Sequence, residues 1–282
     1  MKTIQVSTVT EMVRQAVQTI NFVTPDATLA RLKEVQINEP SPAGRQAMTD
    51  IVENRAIAAR QRVPMCQDTG MILVFVEIGQ DVHLEGGILS EAISEGVRLG
   101  YREGYLRKSV VGEPLFERLN TGDNTPPVIH YDLVPGDQLK LTIAAKGFGA
   151  ENMSRLKILT PAQGIAEVKR QVVQCVVDAG PNACPPVVVG VGIGGTLEMA
   201  ALLAKKAIMR EMGQPHPDAR YAALEEELLN LVNATGIGPQ GWGGRNTALE
   251  VRIEYFPTHI ASLPLAINLD CHLHRHITIM VE

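Results

Sequence analysis

Apolar positions recur at helical spacing near the start of the chain. Val9, Met12, Val13, Ala16, Val17 and Ile20 fall on one face of a helix, and Thr8 with Glu11 has the spacing of a capping box. Thr24-Pro25 and Ser41-Pro42 each place a hydroxyl before a first-turn proline, which predicts two further helix starts. Residues 1–62 therefore read as a mainly helical lobe. The pattern then changes. From Met71 to Ile78 the chain is an almost unbroken apolar run, as in a strand covered on both faces, and a helix is expected over Ser90–Leu106. "VIHYDLV" and "QLKLTIAA" alternate with period two around Pro135-Gly136-Asp137, which predicts a hairpin.

Beyond Thr160-Pro161 a helix carries Ile165, Val168, Val172 and Val176. "VVVGVG" reads as a buried strand, while "TLEMAALLAKKAIMREMG" and "ALEEELLNLVNATG" read as helices, the second closed by Gly236. "ALEVRIEYF", "LPLAINLD" and "HITIMV" read as three closing strands. Strands arise both in a hairpin and after helices, so the expected fold is α+β (mixed α/β): the N-terminal helical lobe, then a mixed-sheet lobe over 63–282, in a single domain spanning 1–282.

Composition narrows the function more than the fold. With 282 residues, 45% of them hydrophobic and 20% charged, the chain has the balance of a soluble globular protein. A net charge of -5 speaks against nucleic-acid and anionic-membrane partners. No apolar stretch approaches the roughly 20 residues of a membrane span. The N-terminal residues lack the apolar core and cleavage site of a secretion signal, so a cytoplasmic location is expected. In that setting the four cysteines, at 66, 175, 184 and 271, are not expected to form a disulfide framework.

Gly190, Gly192 and Gly195 match Gly-x-Gly-x-x-Gly between a strand and a helix, which raises a nicotinamide-dependent dehydrogenase as an alternative. A dinucleotide unit would continue into a second parallel strand ending in an acidic residue about twenty positions on. Here "GQPHPDARYAALEEELL" supplies a Pro-rich loop and another helix instead. Two readings of the glycines remain: backbone N–H groups that welcome an anion at the helix start, or close packing of strand on helix.

Cys66 and Cys184 stand just before buried strands, and Cys271 ends a third. Thiols at corresponding strand ends can meet although they are far apart in sequence. Cys175 differs: it lies in an amphipathic helix beside Val172, Val173 and Val176, and reads as a small buried hydrophobe. Three thiolates suit zinc or an iron–sulfur cube, and the close Cys pairs usual in structural zinc sites are missing. A four-iron cluster with three cysteine ligands leaves one iron open to act as a Lewis acid toward a substrate carboxylate and hydroxyl.

At these residues the chain resembles a known family. "PMCQDTG", "KGFGAENMSRLKILTP", "NACPPVVVGVGIGGT", "GIGPQGWGG" and "YFPTHIASLPLAINLDCH" resemble class I, iron–sulfur fumarate hydratases and the related L-tartrate dehydratases, and most closely the α subunit of the two-subunit forms. "KGFGAEN" and "PTHIA" are more similar to the fumarase branch. The resemblance implies that Cys66, Cys184 and Cys271 hold a 4Fe–4S cluster, that Gln67 binds a substrate carboxylate, and that Asp68 takes part in proton transfer with His259. It further implies that Arg107 grips a carboxylate and that the backbone at Gly149 lines the substrate site. Lys146, Asn152 and Arg245 fall inside matching motifs without a role of their own. His272, His274 and His276 alternate and are expected to mark one face of an exposed strand rather than a metal site.

Single-chain members of the family continue into a C-terminal domain that adds substrate-binding cations and a threonine base. This sequence ends at Glu282, so a separate β subunit is expected to supply that part, in a pair of αβ units (α2β2). The activity so implied is reversible hydration of fumarate to (S)-malate, with L-tartrate dehydration to oxaloacetate as the alternative.

Overall fold

Two four-stranded sheets, each with its own helices, organise the chain into two units. A computed structural model describes residues 2–282. The first unit comprises the chain up to Thr24, Arg55–Phe148 and Arg275–Glu282; the second comprises Pro25–Asn54 and Gly149–His274. The fold is α+β, as expected.

In the first unit, β1 (Lys2–Gln5) pairs in parallel with β3 (Val82–Glu85). Helix α1 (Val6–Phe22) begins with Gln5 at its N-cap, so the expected capping box does not form. Thr8 lies inside the helix, and Glu11 instead pairs with Arg14 one turn on. The apolar stripe of α1 packs on Ile93, Val97 and Tyr101 of α4 (Leu89–Glu103) in one core cluster. Two glycines of α4 make the approach possible. A Cβ on Gly96 would meet Thr10 O at 2.6 Å, and one on Gly100 would meet Arg14 O at 3.0 Å.

The sheet of this unit has the order β10-β5-β2-β4, from β2 (Met71–Gly79), β4 (Val128–Val134), β5 (Leu139–Lys146) and β10 (His276–Val281). The expected hairpin of β4 and β5 is not present, because β2 lies between them, parallel to β4 and antiparallel to β5. Burial explains the choice. The continuously apolar β2 takes an inner position, and β4, which alternates, is left at the edge. The turn expected to close the hairpin instead crosses the end of β2. Gly79 N donates to Gln138 O at 2.8 Å, and a Cβ on Gly79 would meet Gly136 O at 2.3 Å.

In the second unit, α2 (Asp26–Asn38) and the first part of α3 (Pro42–Gln61) pack Leu32, Val35, Met48 and Ile51 against Val188, Ile208 and Leu249. The three N-terminal helices are thus divided between the units: the apolar stripe of α1 joins the first unit's core, while α2 and the first part of α3 share a core in the second. Ser41 caps α3 by accepting from Gly44 N at 3.2 Å, whereas Thr24 donates to the Met65 sulfur at 3.3 Å. After the one-turn α5 (Phe148–Glu151) come β6 (Arg155–Leu159) and a turn where Thr160 and Gln163 form a capping box ahead of α6 (Gly164–Ala179).

The second sheet is ordered β6-β9-β7-β8, from β7 (Val187–Gly194), β8 (Ala248–Phe256) and β9 (Leu263–Asp270) with β6. Helices α7 (Leu197–Ile208) and α8 (Ala219–Asn233) separate β7 from its parallel neighbour β8, so no compact dinucleotide unit is built. The glycines serve packing: a Cβ on Gly190 would meet Ala204 O at 2.2 Å, and one on Gly192 would meet Ala200 O at 2.0 Å. No helix among the described residues is long and apolar enough to cross a membrane.

Candidate functional site

In the first unit the segment 66–70 enters β2 under several restraints. Gly70 has φ +80°, and a Cβ there would meet the backbone of Ala145 and Lys146 at 2.9 Å, so only glycine suits the position. The buried Tyr101 hydroxyl donates to the carbonyls of Thr69 and Gly70, at 2.7 and 2.8 Å. Asn124, also buried, donates to Gly70 O at 3.2 Å and accepts from Ser109 N at 2.7 Å. Thr69 Oγ1 donates to Arg107 O at 2.8 Å, tying the 107 segment to the same loop.

On this frame Cys66 is half-buried and Gln67 is exposed. Asp68 N donates to Cys66 Sγ at 3.4 Å. The Asp68 carboxylate is clasped by two backbone amides: Gly70 N donates to Oδ1 and Phe148 N to Oδ2, both at 2.9 Å. Arg107 is exposed, between buried Leu106 and Val110. Cys66, Gln67, Asp68 and Arg107 are therefore assembled within one unit. Tyr101, Asn124 and Arg275, which hold or flank this loop, carried no signal in the sequence. Their hydrogen bonds go mainly to backbone and amide groups of distant residues, and "CHLHRH" drew attention to its histidines.

The second unit brings Cys184 and Cys271 together. Cys184 follows a short 3-10 turn in the left-handed conformation (φ 53°) and leads into β7; Cys271 directly follows β9. These strands are antiparallel neighbours with Val188 opposite Asp270, and His272 N donates to Cys184 O at 3.3 Å. Gln240 braces the Cys184 loop, donating to Pro185 O from its backbone N at 2.8 Å and from Nε2 at 2.7 Å. Gly149 lies beside that loop, where a Cβ would meet Asn182 O at 3.1 Å. Both thiols are half-buried, and no disulfide joins any of the four cysteines. Such a pair of soft donors suits ligation of iron or zinc. Cys175 is fully buried, its thiol pushed up to about 11 by burial, and donates to Met153 O at 3.4 Å.

His259 is not brought to these cysteines. It sits exposed in the turn between β8 and β9, where Thr258 Oγ1 bonds Gly195 O at 2.9 Å. Cys271 is at the other end of β9, and an eight-residue strand spans about 26 Å. The start of α7, one candidate for anion binding, is at the same end as His259 and away from Cys184. The histidine cluster is not a strand face. His274 is fully buried in a turn at φ 47°, with Nδ1 2.9 Å from Asp270 Oδ2; only His276 lies in β10. Burial pushes the His274 imidazole below its usual range, against the pull of Asp270. Arg245 and Asn246 donate their backbone N–H groups to the buried Glu39 carboxylate, at 3.1 and 3.0 Å. That places the "WGGRN" motif in the support of the Gln240 loop.

The family described as fumarate hydratase (Fumerase) matches residues 10–280. A Methanocaldococcus jannaschii protein provisionally named L(+)-tartrate dehydratase subunit alpha is 41% identical over 256 residues, covering 89% of this chain and 90% of its own. Proteins named L(+)-tartrate dehydratase subunit alpha from Escherichia coli O157:H7 and Shigella sonnei are 35% and 34% identical, each covering 98% of this chain and 92% of their own.

Proposed function

From the premise that the chain belongs to the fumarate hydratase (Fumerase) family of hydro-lyases, we propose that it is the α subunit of an iron–sulfur enzyme that reversibly hydrates fumarate to (S)-malate. The observation that carries this reading is the meeting of Cys184 and Cys271 at adjacent strand ends of one sheet. In this reading Cys66, Cys184 and Cys271 would be the ligands of the 4Fe–4S cluster. When bound, that group supplies a Lewis-acid position for a substrate hydroxyl and carboxylate.

The chain's own side chains account for the remaining needs. Adding water across a double bond flanked by carboxylates places negative charge on the carbon beside one of them, and a cation held against that carboxylate stabilises it. The exposed Arg107 fork suits a carboxylate bidentately, and the Gln67 amide adds a donor. Asp68, held by two amides beside Cys66, carries the proton in this reading. The bare backbone at Gly149 allows substrate close to the Cys184 loop. His259, at the far end of β9 from Cys184 and Cys271, joins the proton transfer in this reading only from a second copy of the chain, as a pair of αβ units would allow.

A separate β subunit completes the enzyme, in keeping with relatives named as alpha subunits; the assembly in this reading is α2β2, in the cytoplasm. L-tartrate is the second reading of the substrate, favoured by those same names. The test is anaerobic purification with the β subunit, with assay of iron, sulfide and visible absorbance, and then of turnover on fumarate and L-tartrate. A colourless, iron-free complex inactive on both would reject the reading.

A further inference from the structure

The loop that carries Asp68 lies beside a buried cation. Arg275, at the entry to β10, is only 3% exposed, although a guanidinium is costly to bury. Its Nη1 donates to Asn21 Oδ1 at 2.9 Å, an amide rather than a carboxylate, and its Nε is buried without a hydrogen-bond partner. Asn21 is itself fully buried: Nδ2 donates to Val17 O at 2.9 Å, and its carbonyl accepts from Met65 N at 3.0 Å. The residue that holds Arg275 thus also holds the one before Cys66.

On its other side the guanidinium reaches Gly147. A Cβ built there would lie 3.5 Å from Arg275 Nη2 and 3.5 Å from Asp68 Oδ2. Cation and carboxylate therefore flank one residue that has no side chain to separate them. The Tyr101 phenol feels both: burial raises it most, Arg275 lowers it and Asp68 raises it. Arg275 is buried and Asp68 half-buried, so water screens their attraction less than it would between two surface groups.

We propose that Arg275 is a positioning residue for Asp68, its buried guanidinium drawing the carboxylate across Gly147 and keeping it seated on the Gly70 and Phe148 amides. The inference rests on the reading of Asp68 as the group that meets substrate, but its geometry can be tested without turnover.

The experiment uses the full chain with its β subunit and compares wild type with Arg275→Gln, Arg275→Lys, Asp68→Asn and the Gln/Asn double variant. Hydrogen exchange is followed at the Gly70 and Phe148 amides, together with kcat and KM. Arg275→Gln is expected to speed exchange at these two amides about tenfold or more. It is also expected to lower kcat about tenfold to a hundredfold with KM nearly constant. Arg275→Lys, which keeps the charge, restores most of both. In the Asp68→Asn background, Arg275→Gln adds no further exchange at the two amides.

Unchanged protection in Arg275→Gln overturns the proposal. So does an equal rise of exchange throughout α1 and β10, which is what a purely structural arginine would give. If the Gln variant does not fold, the Lys variant decides: protection retained supports the proposal and protection lost overturns it. A wild-type complex inactive on both dicarboxylates would reject the proposed function and still leave the exchange comparison decisive for Arg275.

Discussion

Cys175 and Cys184 show how far residue identity depends on surroundings. Both are thiols in the same unit, yet one is sealed in α6 with its titration pushed up to about 11, and the other stands half-buried at a strand end beside Cys271. Replacing Cys66, Cys184 or Cys271 with serine is expected to abolish iron content and turnover. Cys175→Ser should keep both and cost about 1 kcal/mol of stability, read as a small fall in Tm. Retained iron and turnover in any one of the former variants would show the ligand assignment to be wrong. Gly70→Ala should destabilise by about 2 kcal/mol or more, because the left-handed conformation and the contact with β5 both oppose a side chain. At this scale the sequence was informative wherever a rare side chain stood at a strand end. It was silent about Tyr101, Asn124 and Arg275, whose contacts reach across as many as 254 positions of chain.

Elements were legible where one stripe or one apolar run decided them: α1, β2, α6, β7 and the closing strands all follow from periodicity. Pairing was not legible, since β4 and β5 have the alternation and the turn of a hairpin and still leave room for β2 between them. Local pattern reports which face of a strand is buried, not which neighbour it bonds. The glycine motif is likewise ambiguous in sequence, and the packing of α7 on Gly190 and Gly192 resolves it. Gly192→Ala would drive a methyl group into the backbone of α7, and a loss of several kcal/mol in denaturant unfolding is expected. Glu39 links two elements through four hydrogen bonds, from Ser41 N, Arg245 N, Asn246 N and Asn246 Nδ2. Burial alone would raise its carboxyl, but these donors together hold it below the usual range. A depressed folded-state value gives stability that is present above the ordinary carboxylate range, near 4.3, and is lost as pH falls through the folded value. Glu39→Gln should therefore lower Tm at neutral pH and flatten its decline in acid. An unaltered acid limb would contradict the assignment.

For the whole molecule, family membership was legible because several long motifs fall in one order along most of the chain. Substrate choice was not, since fumarate and L-tartrate carry the same pair of carboxylates. Mixing tests the assembly. An Asp68→Asn chain and a His259→Asn chain, each inactive alone with the β subunit, should regain part of the activity when co-assembled. No recovery would remove His259 from the proposed chemistry.

The first unit is sewn from three separate stretches, and the last of them, Arg275–Glu282, contributes both β10 and the arginine beside Asp68. On the ribosome, α1, β2 and β5 emerge early and must wait, with one border of their sheet unzipped, while the second unit's longer stretch, Gly149–His274, is synthesised. The second unit waits too, its Pro25–Asn54 stretch for Gly149–His274, but it is complete one stretch earlier. A nascent chain stalled before Arg275 would thus offer chaperones and proteases a finished half joined to an unfinished one.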